Sequence, residues 1–185
     1  MIRKARLLGS GGFTLAELMV VMLIIGILAA FAVPAYLRSV ETSKADDAAA
    51  LMQMVGTANR MFALDHANTF TSGTLTAIGT AGASCQLGAS CPTAGPYVAC
   101  DLVACKYLAA QDWDSKPYVV SSADANTAGP CLSQGSGNYV ACVGRRTSGN
   151  ASTGISPYNT WGYTFDASGI VVAYGTPTPA PTPPP

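Results

Sequence analysis

Between Leu18 and Leu37 the chain carries no charged side chain over twenty consecutive positions, and that run limits what it can fold into. At 1.5 Å per residue, about 20 apolar residues in a helix match the hydrocarbon thickness of a bilayer. A helix that is apolar all round needs lipid or other helices as its surroundings. Arg3, Lys4 and Arg6 precede the run and favour a cytoplasmic N-terminus; Arg38 and Lys44 follow it closely and keep that asymmetry modest.

The helical pattern does not end at the membrane edge. From Ala35 to His66 there is no proline and a single glycine, Gly56. Ala48, Leu51, Val55, Ala58 and Phe62 recur at spacings of three and four, which places one apolar stripe on a helix. Arg38, Glu41 and Lys44 alternate in sign at intervals of three, and are expected on a wetter face. One helix from about Phe13 to His66 is the simplest reading, with its second half placed against a globular domain.

Beyond Asn68 the composition turns to Thr, Ser, Gly and Ala, and residues 67–96 read as a long loop. Short β-prone runs follow at Tyr118–Ser121, Tyr139–Val143, Trp161–Phe165 and Ile170–Tyr174. The last two flank Asp166-Ala167-Ser168-Gly169, which has good turn chemistry. They make a hairpin in which Trp161, Tyr163 and Phe165 share one face, Ile170, Val172 and Tyr174 do likewise, and one face is available to cover the helix. The expected fold is therefore α+β: a long N-terminal helix packed against a small antiparallel β-sheet head with disulfide-tied loops. The organisation expected is a basic leader at 1–12, a membrane or filament-core helix at 13–37, an amphipathic helix at 38–66, a β-rich head at 67–175 and a proline-rich tail at 176–185. The tail, TPTPAPTPPP from Thr176, suits an extended polyproline-type segment; Thr176, Thr178 and Thr182 are taken as unmodified.

All six cysteines, Cys85, Cys91, Cys100, Cys105, Cys131 and Cys142, lie downstream of the apolar run. An even number in that position suits disulfides in an oxidising compartment. Zinc is the weaker reading, because no CxxC pair is present and the single histidine, His66, lies far upstream. Proximity favours Cys131–Cys142; the other four pair among themselves in an order left open. Ten basic and ten acidic side chains give no general attraction to nucleic acid, and Arg145-Arg146 alone makes a poor patch for it. His66 fits a helix-end residue better than a catalyst. Asp112-Trp113-Asp114 fits a surface turn better than a calcium site.

The densest information lies in Gly11-Gly12-Phe13-Thr14-Leu15-Ala16-Glu17-Leu18, preceded by the basic leader and followed by the apolar run and Pro34. Over roughly residues 3–40 this resembles the type IV prepilin and pseudopilin family. The resemblance implies cleavage by prepilin peptidase between Gly12 and Phe13 and methylation of the new Phe13 amine. It implies that Glu17 meets the amine of a neighbouring subunit and sets axial register. It also implies that Gly26 and Pro34 weaken the helix between them. The partners it implies are further copies of the chain in a homo-oligomeric helical filament, the peptidase, an assembly ATPase and an inner-membrane platform.

Physical arguments bear on the same residues. Glycine at position 12 permits close backbone approach at a cleavage site. A carboxylate in a spanning helix costs up to about 2.5–3.5 kcal/mol at the membrane centre and is better tolerated with a partner. Thr14 and Glu17 also fit a capping box, which explains both without explaining the leader. Pro34 removes an amide and crowds Ala30, while Gly26 and Ala30 form a small-xxx-small pair.

The function expected is that of a structural subunit of a type IV pilus, held in the bacterial inner membrane with its head outside the cytoplasm before assembly into an extracellular filament. No catalytic, cofactor-binding or metal site is expected. The alternatives are a type II secretion pseudopilin and a membrane-anchored or secreted cysteine-rich binding domain. Release of the latter would follow signal-type cleavage after Ala30-Phe31-Ala32.

Overall fold

In the computed structural model, residues 12–76, 85, 89–124, 138–146 and 161–174 are described. The chain divides into two compact units, Met1–Arg38 and Ser39–Pro185. Helix α1 (Leu15–Asp65) is continuous and contains Pro34. In the first unit its apolar side chains are exposed, among them Leu18, Met22, Leu28 and Phe31. The helix is long and apolar enough to cross a membrane, and none of its most apolar window is buried.

The second unit is built on the rest of α1 and a sheet whose strand order is β1-β2-β3-β4-β5, with every neighbouring pair antiparallel. The strands are β1 (Gly73–Thr74), β2 (Tyr118–Ser122), β3 (Tyr139–Arg145), β4 (Gly162–Asp166) and β5 (Val171–Tyr174), with a short helix α2 (Asp101–Ala104) between β1 and β2. Each strand pairs with its predecessor in the chain, and β4 and β5 are joined by the short turn over residues 167–170. The α+β architecture expected from the sequence is the one found.

From α1, Ala45, Ala48, Met52, Val55 and Phe62 are fully buried. They share one core with Tyr118, Val140, Val143, Tyr163 and Phe165 of the strands. Of the stripe read from sequence only Leu51 is half-buried. The helix stops without glycine or proline. Ala67 and Asn68 turn left-handed at φ 53° and 61°, and Asn68 N donates to Ala63 O at 2.8 Å, closing the last turn.

The β4–β5 hairpin corrects one expectation. Phe165 pairs with Val171, and Tyr163 with Ala173. Directly opposed residues share a face, so Trp161, Tyr163 and Phe165 lie on the side opposite that of Val172 and Tyr174. The first set is buried in the core; Ile170 and Val172 are exposed. Only β4 therefore covers the helix with its aromatic set, while Val171 is the β5 residue that packs against the core. The turn itself is as expected: Asp166 Oδ1 accepts from Ile170 N and Ser168 Oγ, both at 2.7 Å, and Gly169 adopts φ +96°.

Gly56 allows this closeness. A Cβ there would overlap the Phe165 ring. On an open helix Gly→Ala gains about 1 kcal/mol, whereas overpacking a filled core costs about 1–3 kcal/mol. Gly56→Ala is therefore expected to lower the urea midpoint of the detergent-solubilised chain; a raised midpoint would mean the ring moves aside at no cost.

Candidate functional site: the N-terminal segment and the polar ties of the head

At the N-terminal end of α1, Gly12 is exposed and Phe13 is 79% exposed. Thr14 and Glu17 form a reciprocal capping box. Thr14 N donates to Glu17 Oε2 at 2.9 Å, Glu17 N donates to Thr14 Oγ1 at 3.2 Å, and Thr14 Oγ1 donates to the same carboxylate at 2.8 Å. Two of the amides that a helix start leaves without intrahelical partners are thus satisfied, and the acid sits at the positive end of the dipole. The carboxylate stays on the exposed helix surface. Further along, Gly26 faces open space and the helix continues through Pro34. Pro34 has no N–H to donate to the Ala30 carbonyl, so one rung of the ladder is missing there.

Of Arg38, Glu41 and Lys44, expected on a wetter face, Arg38 is exposed and Lys44 partly so, but Glu41 departs from expectation. Glu41 is 7% exposed. Arg145 grips it with two donors, Nε to Oε2 at 3.0 Å and Nη2 to Oε1 at 3.2 Å. Lys44 Nζ adds a contact to Oε1 at 2.8 Å and Trp161 Nε1 one to Oε2 at 3.3 Å. Arg145 also donates to the Pro117 carbonyl. Burial pushes the Glu41 carboxyl up, but the Arg145, Lys44 and Trp161 contacts outweigh it and hold the group below its ordinary value. Glu41 is therefore not on a wet face, and Arg145 is an internal tie between helix and sheet. Arg146 pairs instead with Asp114 at 3.6 Å.

A second tie is Asn59, fully buried. Its Oδ1 accepts from Thr71 N at 2.8 Å and Thr71 Oγ1 at 3.0 Å. Its Nδ2 lies at 2.9 Å from Val140 O, 3.0 Å from Ala123 O and 3.3 Å from Thr71 O. One amide thus binds the helix to the chain before β1, the end of β2 and the start of β3. A third tie joins the Tyr118 hydroxyl to Asp47, where burial and the carboxylate both push the phenol upward. The sequence reading missed Glu41 and Asn59, although a signal was present. Glu41, Ala45, Ala48, Met52, Val55, Asn59 and Phe62 recur at alternating four and three, so phase alone places both polar residues on the buried stripe.

Cys91 and Cys105 lie beside the far end of α1, close to His66. Cys85 pairs with Cys100 and Cys91 with Cys105, with Cα atoms 4.4 and 4.6 Å apart. These interleaved bridges resolve the order left open by the sequence. Cys142 is also disulfide-bonded, while Cys131 lies outside the described residues, as do residues 1–11 and the proline-rich tail with Thr176, Thr178 and Thr182. Cys85 and Cys100 are buried in the core. His66 ends the helix as expected: its Nδ1 donates to Phe62 O at 2.9 Å, and its ring stacks on Phe62 at 3.8 Å between centroids. Asp65 accepts from the Tyr107 hydroxyl. Asp112 Oδ1 accepts from Asp114 N and Ser115 N, both at 3.2 Å, which is the chemistry of a surface turn.

Residues 8–33 match the family model for the prokaryotic N-terminal methylation motif, the signature of type IV prepilins. The motif supports a pilin-like or pseudopilin precursor, and with the apolar helix it fits anchoring in the inner membrane before assembly. No curated protein and no solved structure matches the chain.

Proposed function

We propose that this chain is the precursor of a structural subunit of a type IV pilus. Prepilin peptidase cuts it between Gly12 and Phe13, the Phe13 amine is methylated, and the apolar half of α1 passes from the inner membrane into the core of a filament of identical subunits. The observation that carries this reading is the pairing of the methylation motif with an apolar helix surface, Leu15 to Tyr36, that stands exposed among the described residues. Such a surface requires lipid or neighbouring helices. In the second unit the exposed face of α1 bears Ala50, Met54, Thr57, Met61 and Leu64 at alternating four and three, a spacing suited to lying beside another helix. Signal-type cleavage after Ala32 is disfavoured because it would sever α1 within its length.

In the filament, Glu17 meets the positive amine of a neighbour's Phe13. Gly26 and Pro34 mark the stretch of helix that yields under extension. The head is displayed outside, and a separate assembly ATPase supplies the work of extraction. N-terminal mass spectrometry of the native protein is expected to find a methylated Phe13. A chain that keeps its first twelve residues, or begins after Ala32, would overturn the reading. Imaging of surface filaments and an export assay in a deletion strain separate the pilus from the secretion pseudopilus.

Glu17→Gln tests the charge apart from the cap. A glutamine at the same position still completes the box, whose loss is worth only about 0.5–2 kcal/mol. It cannot form an ion pair. Glu17→Gln is expected to leave processing intact and abolish pelletable filaments; normal assembly by that variant would remove the ion pair from the account.

A further inference from the structure

A ring nitrogen of His66 and the Sγ atoms of Cys91 and Cys105 lie within 4.8 Å of one another, although His66 is twenty-five residues before Cys91 in sequence. We propose that, when the Cys91–Cys105 bridge is open, these three residues form a binding site for a thiophilic divalent cation of the zinc class. The fold joins what the sequence holds apart, because α1 ends at Asp65 beside the segment that carries both cysteines.

A second observation concerns the histidine itself. A backbone carbonyl can only accept, so the 2.9 Å contact with Phe62 O fixes the proton on Nδ1. Whenever the ring is neutral, its lone pair is therefore on Nε2. An imidazole held by an Nδ1–H to carbonyl bond has the tautomer and orientation that metal-binding histidines use. The ring is also held in place by stacking on Phe62 and by the edges of Tyr97 at 5.2 Å and Tyr107 at 6.4 Å. Rigid support of that kind lowers the ordering cost of a ligand set.

The two bridges differ in access. Cys91 is exposed and Cys105 half-buried, whereas Cys85 and Cys100 are buried in the core. A dithiol reductant therefore reaches Cys91–Cys105 first. It delivers two electrons and two protons and becomes a disulfide, while the Sγ–Sγ bond breaks to leave two thiols. The cation then displaces both thiol protons and binds two thiolates and Nε2. Two sulfurs and one imidazole suit a tetrahedral zinc-class ion, with solvent in the fourth position. The bridge and the metal are alternatives: the oxidised chain is stapled, and the dithiol chain is clipped by the ion across the same gap.

The test uses the full chain in detergent, reduced with a phosphine, with Zn2+ or Co2+ as the only added metal. One equivalent should bind, and Co2+ should show a thiolate-to-metal charge-transfer band. Zn2+ should protect Cys91 and Cys105 from alkylation, mapped by mass spectrometry. His66→Phe keeps a ring on Phe62 and removes the nitrogen. It should weaken binding by more than the roughly 10–100-fold that even an outer-shell partner commands. Cys91→Ser should abolish the band. Absence of stoichiometric binding, protection of Cys85 and Cys100 instead, or unchanged affinity in His66→Phe would each overturn the site.

Discussion

Glu41→Gln is expected to destabilise the detergent-solubilised chain by about 3–5 kcal/mol, because it takes the Glu41 charge away from the buried Arg145 guanidinium. For a chain of this size that is a fall in Tm of roughly 10 °C. The Arg145 side chain is fully buried and its partner 9% exposed, so solvent cannot replace the lost carboxylate. Lys44 is 29% exposed and takes up water instead, so Lys44→Ala should cost far less. A paired replacement, Glu41→Leu with Arg145→Met, should recover much of the loss, since removing both charges ends the desolvation cost. If that double variant is no more stable than Glu41→Gln, charge isolation is not the cause.

The same pair sets a pH dependence. The folded Glu41 carboxyl is held below its ordinary value, so the unfolded chain binds its proton first as pH falls. The contribution of the pair is complete above the unfolded carboxylate pKa, about 4.3, and is lost as pH drops through the lower folded value. The Tm difference between the wild type and Glu41→Gln should therefore be constant near neutrality and shrink below about pH 4. Burial raises the Asp101 carboxyl despite its bond from Val98 N, so Asp101 acts in the opposite sense. The comparison must be made with the variant at each pH rather than with absolute stability.

Asn59→Leu is expected to be nearly as damaging. The leucine fills the space but orphans the Thr71 amide and the Ala123 carbonyl, at about 1–3 kcal/mol for each buried group left unpaired. Val140 O suffers less because Ala123 N still donates to it at 3.0 Å. Amide exchange at Thr71 should rise more than at strand positions remote from the tie. Asn59→Asp gives a sharper reading. Its carboxylate would face Ala123 O and Val140 O, so burial and those carbonyls would raise its pKa. A raised folded pKa means stability is gained as pH falls, so this variant should recover on mild acidification, against the trend of Glu41. Equal loss at all pH values would show that the tie serves only to fill space.

The N-terminal architecture was legible because its physics is local. Twenty uncharged residues define a helix that must avoid water, and Thr14 with Glu17 closes a cap within one turn. Strands β2 to β5 were legible for the same reason, since β-prone runs and the Asp166–Gly169 turn are set by neighbours in sequence, whereas the two-residue β1 lies within the stretch 67–96 read as a loop and exists only through its pairing with β2. The face of β5 was not, because opposed residues in a hairpin share a side and the register decides which ones are opposed.

The sequence by itself determined that this chain has a helix long and apolar enough to cross a membrane, a start that matches the N-terminal methylation motif, and an α+β head, each the outcome of short-range periodicity or a contiguous motif. Only the tertiary structure decided that Glu41 lies inside and meets Arg145, that Asn59 joins three segments, and that His66 stands beside Cys91 and Cys105. Those choices depend on which side chains meet across gaps of 12 to 104 residues, as Asn59–Thr71 and Glu41–Arg145 show. A polar residue on an apolar stripe is tolerable only if the fold brings it partners, and nothing local in the chain names Arg145 for Glu41 or Ala123 and Val140 for Asn59.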